Sequence, residues 1–153
     1  MLEMNSSEAN GSQRTPVIHV VIYASLLAAL IGSFMPWARV LFITVNGTDG
    51  DGIFTAITSL LALICFYSLS RTTGKTSVLK TVTFLSTIIC AAIYVYDFIN
   101  ISSVASADDD EFFEVTVTPQ LGLILGALGA VVGAIALGKL LFWKPKLIEI
   151  DES

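Results

Sequence analysis

The sequence predicts an all-α membrane protein: a four-transmembrane-helix bundle with a small β-containing cap on its extracytoplasmic side. Of the 153 residues, 54% are hydrophobic and only 14% are charged, whereas soluble domains carry about 25% charged residues. The apolar residues form long blocks, and the charged residues fall between them. Two of the segments between the blocks contain patterns typical of β-strands. We therefore expect one membrane domain and no separate soluble domain.

Four blocks are long enough to cross a bilayer, because about 20 apolar residues in a helix span its hydrocarbon core. They cover residues 17–35, 53–70, 78–98 and 120–143. The first block lacks an Ala-x-Ala cleavage site and runs into Pro36-Trp37, so we interpret it as a retained span. The predicted organisation is a disordered tail at 1–15, a transmembrane domain at 16–146 and an acidic tail at 147–153.

The basic residues predict the orientation, because they accumulate on the cytoplasmic side of membrane proteins. Of the eight Lys and Arg residues, all but Arg39 lie at one side of the predicted bundle. These are Arg14, Arg71, Lys75, Lys80, Lys139, Lys144 and Lys146. We expect a plasma-membrane protein with both termini in the cytoplasm and the loops 36–52 and 99–119 outside. Trp37 and Trp143 are predicted to anchor the outer and inner interfaces.

The two outer loops contain the strand patterns. In the first loop, a β-branched and aromatic run at 39–45 precedes a segment rich in turn formers at 46–52. In the second loop, apolar Phe113, Val115 and Val117 alternate with polar residues, which is typical of a strand with one buried face. We expect these two strands to pair above the bundle, because an isolated ribbon is only marginally stable in water.

The outer loops also contain most of the acidic residues, so the two sides of the molecule differ in charge. The candidate cation ligands are Asn46, Asp49, Asp51, Asp108, Asp109, Asp110 and Glu111. Calcium binds several carboxylate and carbonyl oxygens, often in glycine-rich turns such as 49–52. That segment is not an EF-hand, because an EF-hand loop that started at Asp49 would need a glutamate at its twelfth position, where this sequence has Leu60. A plain turn on a solvated acidic surface and a calcium site both remain open.

Small residues lie on single faces of two predicted helices. In the fourth span these are Gly122, Gly126, Gly129 and Gly133. A shorter version in the first span consists of Ser25, Ala28, Ala29 and Gly32. Small faces let helix backbones approach closely in lipid. The glycine face therefore predicts either packing within the bundle or association with another membrane protein or a second copy of the chain.

The third span carries a polar stripe. Its members that would line a polar path are Thr83, Thr87, Tyr94 and Asp97. Hydroxyl groups in lipid form hydrogen bonds to backbone carbonyls or to neighbouring helices. A path for a solute is the alternative interpretation. The stripe has no ionisable residue near the bilayer centre, which favours hydrogen bonding between helices.

No motif in the sequence predicts catalysis or a cofactor. The single histidine, His19, lies inside the first span without a cysteine or aspartate nearby, which argues against a metal site or catalytic triad. Cys65 and Cys90 lie within spans and are expected to pack as small apolar residues. We therefore expect a non-enzymatic protein without a nucleic-acid partner, whose only candidate cofactor is calcium.

The first span ends in Pro36-Trp37, a Gly-x-Asp-Gly-Asp-Gly segment follows at 47–52, and a glycine-rich fourth span begins near Gly122. This progression resembles uncharacterised small prokaryotic four-transmembrane-helix proteins. The resemblance implies a topology and no activity. The architecture is also similar to that of claudin-type tetraspans, whose outer loops form a small sheet. The claudin loop cysteines are absent, so claudin function is not implied.

The leading functional prediction is an interaction, structural or accessory subunit in the lipid bilayer. It would pack through its glycine face and present the acidic cap to other membrane proteins or to a second copy of itself. Two alternatives stay open. One is a small oligomeric channel or transporter that uses the polar stripe, and the other is an outer-face calcium sensor.

Overall fold

The structure, a computed structural model, describes residues 14–40, 42–72, 76–106 and 117–142. Within these ranges the chain forms four α-helices, three short β-strands and one turn of 3-10 helix. The helices are α1 (Arg14–Phe34), α2 (Gly52–Arg71), α3 (Ser77–Ser106) and α4 (Leu121–Phe142). The strands are β1 (Pro36–Val40), β2 (Ile43–Asn46) and β3 (Val117–Pro119), and the 3-10 turn is Gly47–Asp49. The protein is therefore mostly helical, as predicted.

All four helices are long and apolar enough to cross a membrane. This confirms the prediction of four helices with the length and composition of membrane spans. The apolar stretches are Val17–Phe34, Gly52–Arg71, Ser77–Ile101 and Leu121–Phe142. Many large apolar side chains lie on the outside of the bundle. Val20, Phe34 and Leu128, for example, are 66%, 61% and 62% exposed. An outer surface of this kind suits contact with lipid chains and not with water.

The helix α3 is longer than the span predicted for it. It continues past residue 98 to Ser106, so that its 30 residues extend over about 45 Å. The hydrocarbon core of a bilayer is only about 30 Å thick. Neither proline nor glycine occurs between Asp97 and Ser106, so nothing in the local sequence ends the helix where its apolar pattern fades. The first part of the predicted second loop is therefore helical.

The three strands form one antiparallel sheet in the order β2-β1-β3. β1 and β2 are a hairpin in which Val40 pairs with Ile43 and Arg39 pairs with Thr44. On its other side, β1 pairs with β3, and Arg39 lies opposite Thr118. The predicted pairing between the two loops is thus present. The predicted strand at 113–118 is seen only from Val117, because residues 107–116 lie outside the described ranges.

The first loop contains two strands and not the single strand predicted at 39–45. The physical reason is that β1 begins at Pro36, two residues after α1 ends. Residues 36–40 already complete a strand, and the β-branched residues that follow return alongside it as β2. The hairpin therefore starts closer to the helices than the sequence pattern indicated.

Helices α1 and α4 pack backbone against backbone through glycines on both. A Cβ atom built on Gly32 would lie 2.7 Å from the carbonyl oxygen of Gly122 and 2.8 Å from the Cα of Gly126. A Cβ on Gly129 would lie 2.7 Å from the carbonyl oxygen of Ser25. No side chain fits between these segments, so the two small faces predicted from the sequence meet each other.

The glycine face of α4 is therefore filled within the chain. Gly122 lies against Met35 and Pro36, and a Cβ on Gly126 would overlap the Tyr94 ring of α3. Of the two interpretations that the sequence left open, the described structure corresponds to packing within the bundle. Association of these glycines with another protein would require α1 to leave its place.

We expect Gly32→Ala to destabilise the bundle, because its methyl group would overlap backbone atoms that cannot rotate away. Overpacking of this kind costs about 1–3 kcal/mol. Gly138→Ala is the matched control on α4, since its Cβ would meet only the Phe84 ring, at 3.7 Å. Thermal unfolding in detergent should show a lower melting temperature for Gly32→Ala than for the wild type, and no loss for Gly138→Ala. A wild-type melting temperature for Gly32→Ala would contradict the backbone contact.

Candidate functional site

Hydroxyl groups from three helices meet in the bundle interior, near the end that carries the sheet. The Ser33 Oγ lies 2.8 Å from the Thr55 Oγ1 and 2.9 Å from the Tyr94 Oη. The Tyr94 hydroxyl donates to the carbonyl of Ala29 at 2.6 Å, and the Thr55 hydroxyl donates to that of Gly52 at 3.0 Å. Ser33, Thr55 and Tyr94 are each 0% exposed. This hydroxyl cluster joins α1, α2 and α3.

Trp37 of β1 covers the hydroxyl cluster. Its indole N–H donates to the carbonyl of Gly32 at 2.8 Å, and its ring centre lies 5.3 Å from that of Tyr94. The side chain is 5% exposed, so the prediction that Trp37 anchors the bilayer interface was wrong. The ring packs inward because an N–H acceptor and an aromatic partner are both available beneath the sheet. Trp143 lies outside the described residues.

The sheet is attached to the helices at further points around Trp37. The Gly47 N–H donates to the carbonyl of Met35 at 3.1 Å, and the Gln120 N–H donates to the carbonyl of Trp37 at 2.8 Å. A Cβ at Gly47 would lie 2.5 Å from the Trp37 Nε1, so only glycine leaves room for the indole ring. The sheet and the bundle are consequently one packed unit.

The polar stripe of α3 faces the bundle interior. Thr83, Thr87 and Tyr94 are all 0% exposed. The Thr83 and Thr87 hydroxyls donate to the carbonyls of Leu79 and Thr83, one turn earlier, at 2.7 and 2.8 Å. Hydroxyl groups bonded in this way meet their hydrogen-bonding requirement within their own helix. The predicted hydrogen bonding between helices is therefore seen at Tyr94, which bonds to α1, while the Thr83 and Thr87 bonds lie within α3.

Asp97 at the end of the stripe differs from the other members. Its Oδ2 atom is buried and has no hydrogen-bond partner among the described residues. A buried oxygen without a partner is rare in folded proteins and calls for a proton, a water molecule or an ion. Asp97 is therefore the member of the stripe whose side-chain oxygens are not all bonded within the described structure.

The predicted cation ligands are only partly described. The Asp49 carboxylate accepts the backbone N–H of Asn46 at 3.0 Å, and the Asp51 carbonyl accepts the N–H groups of Phe54 and Thr55 at the start of α2. In the described ranges, no group of three or more His, Cys, Asp or Glu side chains is placed to hold a metal ion. The other predicted ligands, Asp108, Asp109, Asp110 and Glu111, lie outside those ranges. The calcium site stays a prediction.

The hairpin of β1 and β2 presents apolar side chains to the surroundings. Phe42 is 98% exposed and Ile43 is 70% exposed, and we call these two residues the hairpin tip. In the described sheet, β2 is an edge strand with one unpaired side. Exposed apolar side chains beside an open strand edge are typical of protein-binding surfaces. The sequence predicted a strand here, but only the hairpin geometry shows which side chains stay uncovered.

The fold and its surfaces define a class of protein: a mostly helical chain with four helices able to span a membrane and a small sheet at one end. No family model matches the chain, and no curated protein or solved structure matches it either. The resemblance to prokaryotic four-span proteins accordingly stays a prediction from the sequence.

We expect Tyr94→Phe to lower the free energy of unfolding by about 1 kcal/mol, because it removes a buried hydroxyl that joins two helices. Tyr96→Phe is the matched control, since Tyr96 lies on the same helix and is 66% exposed. Equilibrium unfolding in mixed detergent micelles compares both with the wild type. Equal stability of the two variants would show that the hydroxyl cluster does not hold the helices together.

Proposed function

We propose that this chain is a non-enzymatic, multi-pass protein of the plasma membrane that binds another protein through its β1–β2 hairpin. It would serve as an interaction or accessory subunit. The observation that supports this most directly is the hairpin tip, where Phe42 and Ile43 are 98% and 70% exposed. Covering apolar surface contributes about 25 cal/mol per Å² to binding before the costs of association.

Both strands of the hairpin are bonded to the bundle. Trp37 holds β1 against the helices, and the Gly47 N–H ties the end of β2 to the Met35 carbonyl. A surface that is already ordered loses little conformational entropy when a partner covers it. The partner would add its own backbone to the open side of β2 and cover Phe42, which combines strand addition with an aromatic anchor.

The proposal differs from the prediction in the part of the molecule that contacts the partner. The glycine face of α4 packs against α1, so partner contact is assigned to the hairpin alone. The channel and calcium-sensor alternatives have weaker support. The hydroxyls of Thr83 and Thr87 bond to their own helix, and more than half of the predicted calcium ligands lie outside the described residues.

We infer that the hairpin lies on the extracytoplasmic side. Among the described residues, Arg71, Lys80 and Lys139 lie at the helix ends remote from the sheet, whereas Arg39 lies in the sheet itself. Basic residues accumulate on the cytoplasmic side, which favours a sheet outside and both termini inside.

The orientation can be tested with two introduced cysteines, Thr48→Cys near the sheet and Thr72→Cys at the opposite end. Both positions are exposed, and the native Cys65 and Cys90 are buried and should not react. In intact cells, a membrane-impermeant maleimide should label Thr48→Cys, whereas Thr72→Cys should react only after permeabilisation. The reverse pattern would place the sheet in the cytoplasm.

The partner can be captured with a photo-reactive phenylalanine analogue at position 42. We expect a discrete protein adduct in native membranes, and an adduct of twice the chain mass would identify a second copy as the partner. The same analogue at Leu85, which is 55% exposed on α3, controls for chance collisions. Adducts with lipid alone, or the same protein adducts from both positions, would contradict the proposal.

A substitution at the neighbouring position separates specific binding from proximity. Ile43→Lys should weaken partner binding about tenfold or more, because a charge replaces an apolar side chain in the contact. Thr48→Lys is the control, since it adds the same charge outside the hairpin tip. Co-purification in mild detergent should lose the partner with Ile43→Lys and retain it with Thr48→Lys. Retention by both would place the contact elsewhere.

A further inference from the structure

A groove lies between α1 and α4 on the outer surface of the bundle, at the end remote from the sheet. Its volume is about 530 Å³, within the range of roughly 300–1,000 Å³ found for small-ligand sites. Its apolar walls are formed by Val17, Ile18 and Val21 of α1 and by Val132, Ile135 and Ala136 of α4. Such a surface suits a hydrocarbon chain.

The groove opens where the glycine contact between the two helices loosens. A Cβ on Gly129 would meet the Ser25 carbonyl oxygen at 2.7 Å, whereas one on Gly133 would meet no atom closer than the Ser25 Cβ, at 3.3 Å. Beyond Gly133, α4 has no glycine until Gly138. Ile135 and Ala136 border the space that remains between the two helices.

Among the residues whose side chains the structure describes, Lys139 is the one charged residue in the groove lining. Neither α1 nor α4 contains an aspartate or a glutamate, so no carboxylate on the two helices that form the groove neutralises the ammonium group. The sequence after Lys139 continues with Leu140, Leu141 and Phe142, which keeps the lysine within the apolar part of α4. A cation in this position requires water at the interface or an anion.

We propose that this groove binds one phospholipid with an anionic headgroup, taken from the cytoplasmic leaflet. One acyl chain lies between α1 and α4, and the negative headgroup pairs with the Lys139 ammonium. Anionic lipids are concentrated in the cytoplasmic leaflet, and basic pockets between transmembrane helices are known to bind their headgroups. The choice of leaflet rests on the orientation inferred above, but the site is far from the hairpin and does not depend on the partner proposed for it.

A second lipid-facing groove provides an internal comparison. It has a volume of about 280 Å³ between α1 and α2, and its lining includes Leu30, Phe34 and Ile57 but no charged residue. An acyl chain could occupy it without any preference for a headgroup. A third groove, of about 210 Å³ between α3 and α4, includes Lys80, but it is smaller and its lining also contains the hydroxyls of Ser77 and Thr81. The Lys139 groove is the larger of the two and combines its lysine with apolar walls.

Native mass spectrometry of the detergent-purified protein tests the proposal with two lipids of identical chains, dioleoyl phosphatidylglycerol and dioleoyl phosphatidylcholine. We expect one phosphatidylglycerol to bind with an affinity at least about tenfold higher than that of phosphatidylcholine. Lys139→Gln should remove this preference and leave phosphatidylcholine binding unchanged, and Lys139→Arg should restore it. Equal affinities of the wild type for both lipids would overturn the proposal.

Matched variants locate the bound lipid. Lys80→Gln removes a lysine of α3 that lies at the same end of the bundle as Lys139, and this variant should still prefer phosphatidylglycerol. If Lys80→Gln lost that preference, the assignment to Lys139 would be overturned. Ile135→Trp should fill the groove and weaken phosphatidylglycerol binding, whereas Leu85→Trp on the exposed face of α3 should not. Ile135, Lys139 and Leu85 are exposed, so these variants should melt at the wild-type temperature. Unchanged binding by a folded Ile135→Trp variant would also overturn the proposal.

Discussion

The backbone contact between α1 and α4 is the interaction on which the other contacts of the structure depend. Gly32 lies against the backbone of Gly122 and Gly126, which brings the end of α1 close to the start of α4. β1 follows α1 directly, and β3 directly precedes α4. The contact between the helices therefore places β1 and β3 side by side, where they pair. The same glycine, Gly126, leaves the space that the Tyr94 ring occupies.

The bundle differs from a soluble domain in the many large apolar side chains on its surface. Its interior combines hydroxylated residues such as Ser33 and Thr55 with apolar ones such as Phe66, and further large apolar residues such as Phe34 and Leu128 lie outside. Lipid removes the hydrophobic driving force between helices, so close packing and hydrogen bonds must hold them together. The hydroxyl cluster supplies such bonds among α1, α2 and α3, and the glycines supply the close packing between α1 and α4.

The two proposed sites follow from where the α1–α4 contact is tight and where it loosens. At the tight end, Trp37 packs into the bundle and holds the sheet, so that the hairpin extends outward with Phe42 uncovered. At the loose end, the space between the helices becomes the groove that Lys139 borders. The packed sheet at one end and the open groove at the other both follow from the packing of one helix pair.

The sequence by itself determined the four apolar helices, because spanning length and apolar content are properties of each local segment. It also indicated strands in both loops and small faces on two helices. Only the tertiary structure decided that the glycine face meets α1, since a row of glycines suits an internal or an external partner equally well. The inward position of Trp37, the second strand of the first loop and the uncovered Phe42 were decided in the same way. The glycine face and Trp37 are covered by residues distant in the sequence, such as Tyr94, and a local pattern does not indicate which distant surface will cover it. The hairpin depends on where β1 begins, which the end of α1 decides.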